Sequence, residues 1–124
     1  MSGAYHTVVT DTCLFCGIVA GDIPATVVHE TESTLAFRDI NPKAPEHILV
    51  IPKAHYADVA ALTATDPVLA GDLLAAAAQV AAGAGLVDGG YRLMFNTGRN
   101  AGQEVAHVHA HVLGGAPLGP MVCM

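Results

Sequence analysis

The chain has no tryptophan, only three cysteines, and five basic residues against eleven acidic ones. The bases are Arg38, Lys43, Lys53, Arg92 and Arg99, scattered along the sequence, and the formal net charge is −6. A polyanion binder needs clustered Lys and Arg, so nucleic acid is excluded as a partner. A membrane span is also lacking. Spanning takes about 20 uninterrupted apolar residues. The best stretch, 68–86, is broken by Asp72, Gln79 and Gly83 and is largely alanine. The chain does not open on a basic segment followed by a long apolar run, so no secretory signal and a cytoplasmic location are expected. Three cysteines cannot all pair within one chain. Cys13 and Cys16 form a C-x-x-C, which in a cytoplasmic protein points to metal or redox chemistry rather than a structural disulfide; Cys123 stands apart.

What the chain has in quantity is apolar surface. Apolar residues make up 52% and charged residues 13% of its 124 positions, with a mean hydropathy of +0.47. This excludes disorder and at this length predicts one domain, 11–124, behind a loose arm, 1–10. It also leaves few charges with which to cover the surface of a small domain.

The pattern predicts an α+β domain: a mostly antiparallel five-stranded sheet with a short N-terminal helix and one long helix. Asp11 or Thr12 is expected to cap the first helix, which runs to about Ala20 and stops at Gly21 and Pro24. Strands are expected over 25–29, 34–39 and 47–51, the first two as a hairpin. Residues 58–62 read as a turn of helix. Asp66 as N-cap and Pro67 at the first position begin the long helix, which extends to about Gly83. Its broad apolar face (Leu69, Leu73, Leu74, Ala77, Val80, Ala84) asks for something to cover it. Strands 91–96 and 104–113 follow, joined by a polar, glycine-bearing loop.

The last strand carries His107, His109 and His111 in strict alternation with Val108, Ala110 and Val112. Period 2 places the three imidazoles on one face, about 6.6 Å apart in sequence steps of two. Burying a row of imidazoles has a desolvation cost that folding alone does not require. Two chemistries fit the row: zinc ligation, or nucleophilic catalysis with one imidazole attacking and its neighbours handling protons. The preceding loop, Asn96 through Glu104, is suited to hold an anion through backbone N–H groups and amide side chains.

The segment His107-Val108-His109-Ala110-His111-Val112-Leu113 resembles the signature of the histidine triad (HIT) superfamily of nucleotide hydrolases and transferases. The resemblance runs from about Cys13 to Met121. It includes Ala36-Phe37-Arg38-Asp39-Ile40-Asn41-Pro42, the stretch Ala44 through His55, and Ala101-Gly102-Gln103-Glu104-Val105. The ending Leu113-Gly114-Gly115-Ala116-Pro117-Leu118-Gly119-Pro120 is similar to the Hint branch, two-fold dimers that act as purine nucleoside phosphoramidases.

By that resemblance, His109 is the nucleophile that forms a covalent nucleotidyl-imidazole. His111 assists the leaving amine, His47 is a fourth active-site histidine, and the carbonyl of His107 orients His109. Asn96, Gly102, Gln103 and the Glu104 backbone match phosphate-loop positions. Asp39 matches the ribose carboxylate, and Phe15, Ile18, Phe37 and Ile40 the base pocket. Cys13, Cys16, His55 and His107 match a structural zinc set found in some members. The implied ligand is a purine nucleotide of the AMP or GMP type, and the implied assembly is a homodimer joined through the long helix and strand 91–96. A dinucleoside polyphosphate hydrolase and a non-catalytic nucleotide-binding protein are the alternatives within this reading. Glu104 stands where eukaryotic members have Ser, although Gly-Gln-Glu-Val is familiar among bacterial ones; Ala116 stands where bacterial members often have Arg, and the tail after Pro120 is short, so leaving-group preference is not carried over.

Overall fold

The computed structural model describes residues 13–122. The expected arm, the proposed caps Asp11 and Thr12, and Cys123 lie outside the described residues. The elements are α1 (Leu14–Ala20), β1 (Val27–Glu30), β2 (Thr34–Arg38), β3 (Glu46–Pro52), α2 (Val59–Thr65), α3 (Pro67–Gly83), β4 (Tyr91–Phe95), a 3-10 turn (Arg99–Ala101) and β5 (Ala110–Gly114).

The helix starts follow local chemistry. Asp66 accepts from the Leu69 N–H at 3.0 Å, as expected, and Asp58 does the same for Ala61 at 2.9 Å, turning the anticipated single turn into α2. In α1 the N-cap is Cys13, whose sulfur accepts from the Cys16 N–H at 3.4 Å. Gly21 ends that helix with a φ of 83°, a conformation that suits a residue without a side chain.

The five strands form one sheet in the order β1-β2-β3-β5-β4, and every neighbouring pair is antiparallel. Alternation sorts its side chains onto two faces. Ala36, Ile48, Val50, Val108, Ala110 and Val112 share a core with Leu62 of α2 and Leu69, Leu73, Ala77 and Val80 of α3. Leu35, Phe37, Leu49 and Ile51 form a second cluster with Phe15 of α1 on the opposite face.

Two expectations need correction. The last strand does not start at Glu104: its ladder begins at Ala110, where Val50 pairs with it. Two residues on, Pro52 has no N–H to offer Val108, and the Val108 N–H goes to the Tyr56 carbonyl at 2.7 Å instead. Residues before Ala110 therefore keep the alternation without the ladder. The apolar face of α3 also does not wait for a partner as a whole. Leu69, Leu73, Ala77 and Val80 are buried against this chain's own sheet, Ala84 packs at the edge of that core, and only Leu74 is substantially exposed, at 49%.

Candidate active site

The face of the sheet opposite α3 carries a cavity of about 280 Å³. Its walls include Phe15 and Ile18 of α1, Phe37 and Asp39 at the end of β2, and His109 and His111. Ile40, Asn96, Gly102 and Glu104 also reach it. All three segments expected to bind nucleotide therefore meet here, although Ile40 is 91% exposed and forms only a rim. Ile23, Pro24 and Ala25 complete the wall. In the sequence they read only as a helix stop and a strand start.

Gln103 is placed differently. Its amide oxygen accepts from the Gly98 N–H at 2.9 Å. Its nitrogen donates to the carbonyls of Ala57 at 2.8 Å and Val105 at 3.0 Å. That side chain ties the loop together and is not part of the cavity wall.

The three histidines of the row diverge in role because their surroundings differ. His107 is fully buried, and its Nε2–H donates to the Pro52 carbonyl at 2.9 Å. Nδ1 then carries a lone pair. It faces Cys13 Sγ at 3.5 Å, Cys16 Sγ at 3.6 Å and His55 Nδ1 at 3.2 Å, and Cys16 Sγ lies 3.3 Å from His55 Nδ1. These four ligand atoms lie within 4.8 Å of one another. Bonds of about 2.3 Å to sulfur and about 2.0 Å to nitrogen give tetrahedral edges of roughly 3.3 Å between nitrogens, 3.5 Å between nitrogen and sulfur and 3.8 Å between sulfurs. The donor set, the edges and the carbonyl-anchored second nitrogen of His107 all fit a closed zinc site. Burial with Cys13 alongside pushes the Cys16 thiol up to about 12, so this pocket favours a thiolate only opposite a cation.

His109 donates Nδ1–H to the His107 carbonyl at 2.8 Å. Its Nε2 therefore holds a lone pair in the cavity wall. Phe15 packs edge-on against the ring, with centroids 5.1 Å apart and planes at 89°. The centroid of His111 is 5.0 Å from that of His109.

A proton relay fixes His111. The Lys43 N–H donates to His47 Nδ1 at 3.0 Å. His47 must then carry its proton on Nε2, which donates to His111 Nδ1 at 2.9 Å. His111 in turn carries its proton on Nε2. Asp39 Oδ2, 3.4 Å from His47 Nε2, stands at the side of the relay, while its Oδ1 accepts the Asn41 N–H at 2.8 Å. Asp39, His47 and His111 are close enough to suggest a second metal set. A ligating imidazole donates its other N–H to an acceptor, whereas His47 accepts there. The chemistry is that of a hydrogen-bond chain. Lys43 could not have been found from its side chain, because it acts through its backbone.

Burial, with the nearby imidazoles, holds His111 at about 4, and burial also lowers His47. Both are neutral at pH 7. A histidine depressed in the fold leaves the unfolded chain binding more protons below its ordinary pKa near 6.5. Stability is thus full above about pH 6.5 and falls as pH drops below it, for His111 down to about 4, by up to about 1.4 kcal/mol per pH unit for that group. Urea midpoints at pH 7 and pH 5 check this: the drop should shrink in His111→Asn. An equal drop in both proteins assigns the acid sensitivity elsewhere.

The HIT domain family profile matches residues 20–118. A purine nucleoside phosphoramidase from Escherichia coli K12 is 43% identical over 109 residues, covering 88% of this chain and 92% of its own length. An uncharacterised 13.2 kDa HIT-like protein from Azospirillum brasilense is 50% identical over 111 residues, covering 88% of this chain and 90% of its own. The crystal structure of a HIT family hydrolase from Legionella pneumophila superposes with a TM-score of 0.83 at 48% identity, covering 87% of this chain and 96% of that one. One from Clostridium thermocellum gives a TM-score of 0.86 at 42% identity, covering 91% and 98%. Among the described residues, no helix is long and apolar enough to cross a membrane.

Proposed function

The chain belongs to the HIT domain family, as a hydrolase of that family, and we propose that it cleaves purine nucleoside 5′-phosphoramidates through a nucleotide carried on His109. The observation that carries this reading is the 2.8 Å bond from His109 Nδ1–H to the His107 carbonyl, which leaves Nε2 with a lone pair at the cavity.

The steps follow from the site. Phe15, Ile18 and Phe37 enclose the base, with Ile40 at the rim. Asp39 Oδ1 and Oδ2 take the ribose hydroxyls. Asn96, Gly102 and the Glu104 backbone take phosphate oxygens. His109 Nε2 attacks the α-phosphorus, and the P–N bond to the leaving group breaks. The departing amine leaves with a proton drawn from solvent, while His111 Nε2–H, directed by the hydrogen-bond chain from Lys43 and His47, donates to the phosphoryl group beside it. A water then adds to phosphorus, its proton passes back to solvent, and the bond to His109 breaks to release the nucleotide. A neutral imidazole suits this sequence: it needs its lone pair to attack, and once bonded to phosphorus it is cationic and a good leaving group.

The reading includes a structural zinc held by Cys13, Cys16, His55 and His107, which supplies rigidity and no step of the chemistry. His107, placed among the catalytic histidines by its position in the row, then serves through its carbonyl alone. The reading also includes a homodimer in the cytoplasm. Leu74 on α3, with Tyr91 and Leu93 on the edge strand β4, are 49%, 39% and 37% exposed in the single chain and mark the surface a second copy would cover.

The test is direct. Wild-type protein incubated with an alkylamine amidate of AMP and quenched without acid should show an adenylyl group on the peptide carrying His109 by mass spectrometry. Turnover with no adduct on any histidine sinks the covalent mechanism, and absence of turnover sinks the activity.

A further inference from the structure

We propose that the Cys13, Cys16, His55, His107 cluster and the nucleotide cavity are energetically coupled, with His107 and Phe15 as the positioning residues that join them. The inference rests on the nucleotide and zinc readings above.

Two independent paths connect the sites. The first is His107. Its ring is held at both nitrogens, Nδ1 within the cluster and Nε2–H on the Pro52 carbonyl at 2.9 Å. Its own carbonyl accepts His109 Nδ1–H at 2.8 Å. Whatever clamps the ring therefore steadies the peptide that selects the tautomer of His109. The second path is α1. This helix has seven residues, too few to hold itself without tertiary anchors. Its buried residues are Phe15 and Cys16, and its cap is Cys13. Phe15 sits between the two cysteines and packs edge-on against His109 at 5.1 Å, His107 at 6.0 Å and Phe37 at 5.4 Å. Leu14, Phe15 and Ile18 of the same helix wall the cavity.

The energetic consequence follows. A metal bound by Cys13 and Cys16 orders the first turn of α1 from one side. A nucleotide packed on Leu14, Phe15 and Ile18 orders it from the other. Whichever binds second meets a helix already fixed and loses less conformational freedom. Coupling of this kind is reciprocal: the factor by which metal tightens nucleotide is the factor by which nucleotide tightens metal.

Cobalt(II) serves as the probe, because its visible absorption reports a tetrahedral sulfur-nitrogen site. The full-length protein is titrated with Co²⁺ with and without saturating AMP. We expect AMP to tighten Co²⁺ binding about tenfold and to shift the Co²⁺ absorption bands, within the usual span of such couplings. In Phe15→Leu the tightening should fall to about twofold or less at AMP concentrations that still saturate. A Co²⁺ affinity and spectrum unchanged by bound AMP overturn the coupling and leave the hydrolase reading intact. Failure of Co²⁺ to bind overturns both the coupling and the zinc reading, while an adenylyl group on His109 still stands. Failure of AMP to bind the Co²⁺-loaded protein overturns the coupling and the nucleotide reading together.

Discussion

His109→Ala should lower kcat on an AMP amidate by about four orders of magnitude or more, the range seen when a nucleophile is deleted. The size of the loss follows from the lack of a substitute nearby. His107 is fully buried with both ring nitrogens engaged. His47 accepts the Lys43 N–H on one nitrogen and donates to His111 from the other. His111, the one remaining imidazole at the cavity, receives that proton on Nδ1 and so carries its own on Nε2, which leaves that nitrogen a donor. None of the three presents a free lone pair to phosphorus. The substitution also removes the ring on which Phe15 packs, so AMP affinity must be measured alongside. Affinity within a few-fold of wild type with kcat near background assigns the loss to the missing nitrogen. A loss of less than tenfold in kcat would mean that water attacks directly, with His109 as a dispensable base.

Much of this site was legible in the sequence because its key feature is a local pattern. The alternation of His107, His109 and His111 needs only an extended backbone, and it survives although the β5 ladder begins at Ala110. What local pattern does not show is pairing. Whether residues before Ala110 join a ladder depends on β3, whose last residue is Pro52, more than fifty positions away. The long helix shows a similar limit. Its Asp66 cap and Pro67 start were readable, but its apolar breadth suggested a missing partner. It is mostly matched by this chain: small alanines let α3 lie close to the sheet, so Ala76, Ala77 and Ala81 are buried along with Leu69 and Leu73. Residues that act through backbone or loop geometry were the hardest to see. Lys43 sets a tautomer with its N–H, and Gln103 serves its own loop.

The zinc reading yields the second large effect. Removing the metal with a chelator should lower the thermal midpoint by about 15 °C. A site filled at a thousandfold excess over its dissociation constant contributes about 4 kcal/mol, and a domain of this size shifts by about 4 °C per kcal/mol. Cys16→Ser should show nearly the same loss and no further response to the chelator, since a hydroxyl is a poor zinc ligand. The metal-free protein should nonetheless retain its sheet. The core beneath α3 is built without the cluster, and the four side chains can still bond among themselves, His55 to His107 at 3.2 Å and Cys16 to His55 at 3.3 Å. This separates a structural ion from a catalytic one. If the ion acted on phosphorus, its removal would take kcat to background at temperatures far below the midpoint. Here the cluster sits behind His107, out of the cavity wall, so kcat at saturating amidate should stay far above background while the midpoint falls. A midpoint unchanged after chelation, with metal content shown to have fallen, rules out zinc as a support of this fold and leaves the four side chains as a hydrogen-bonded cluster.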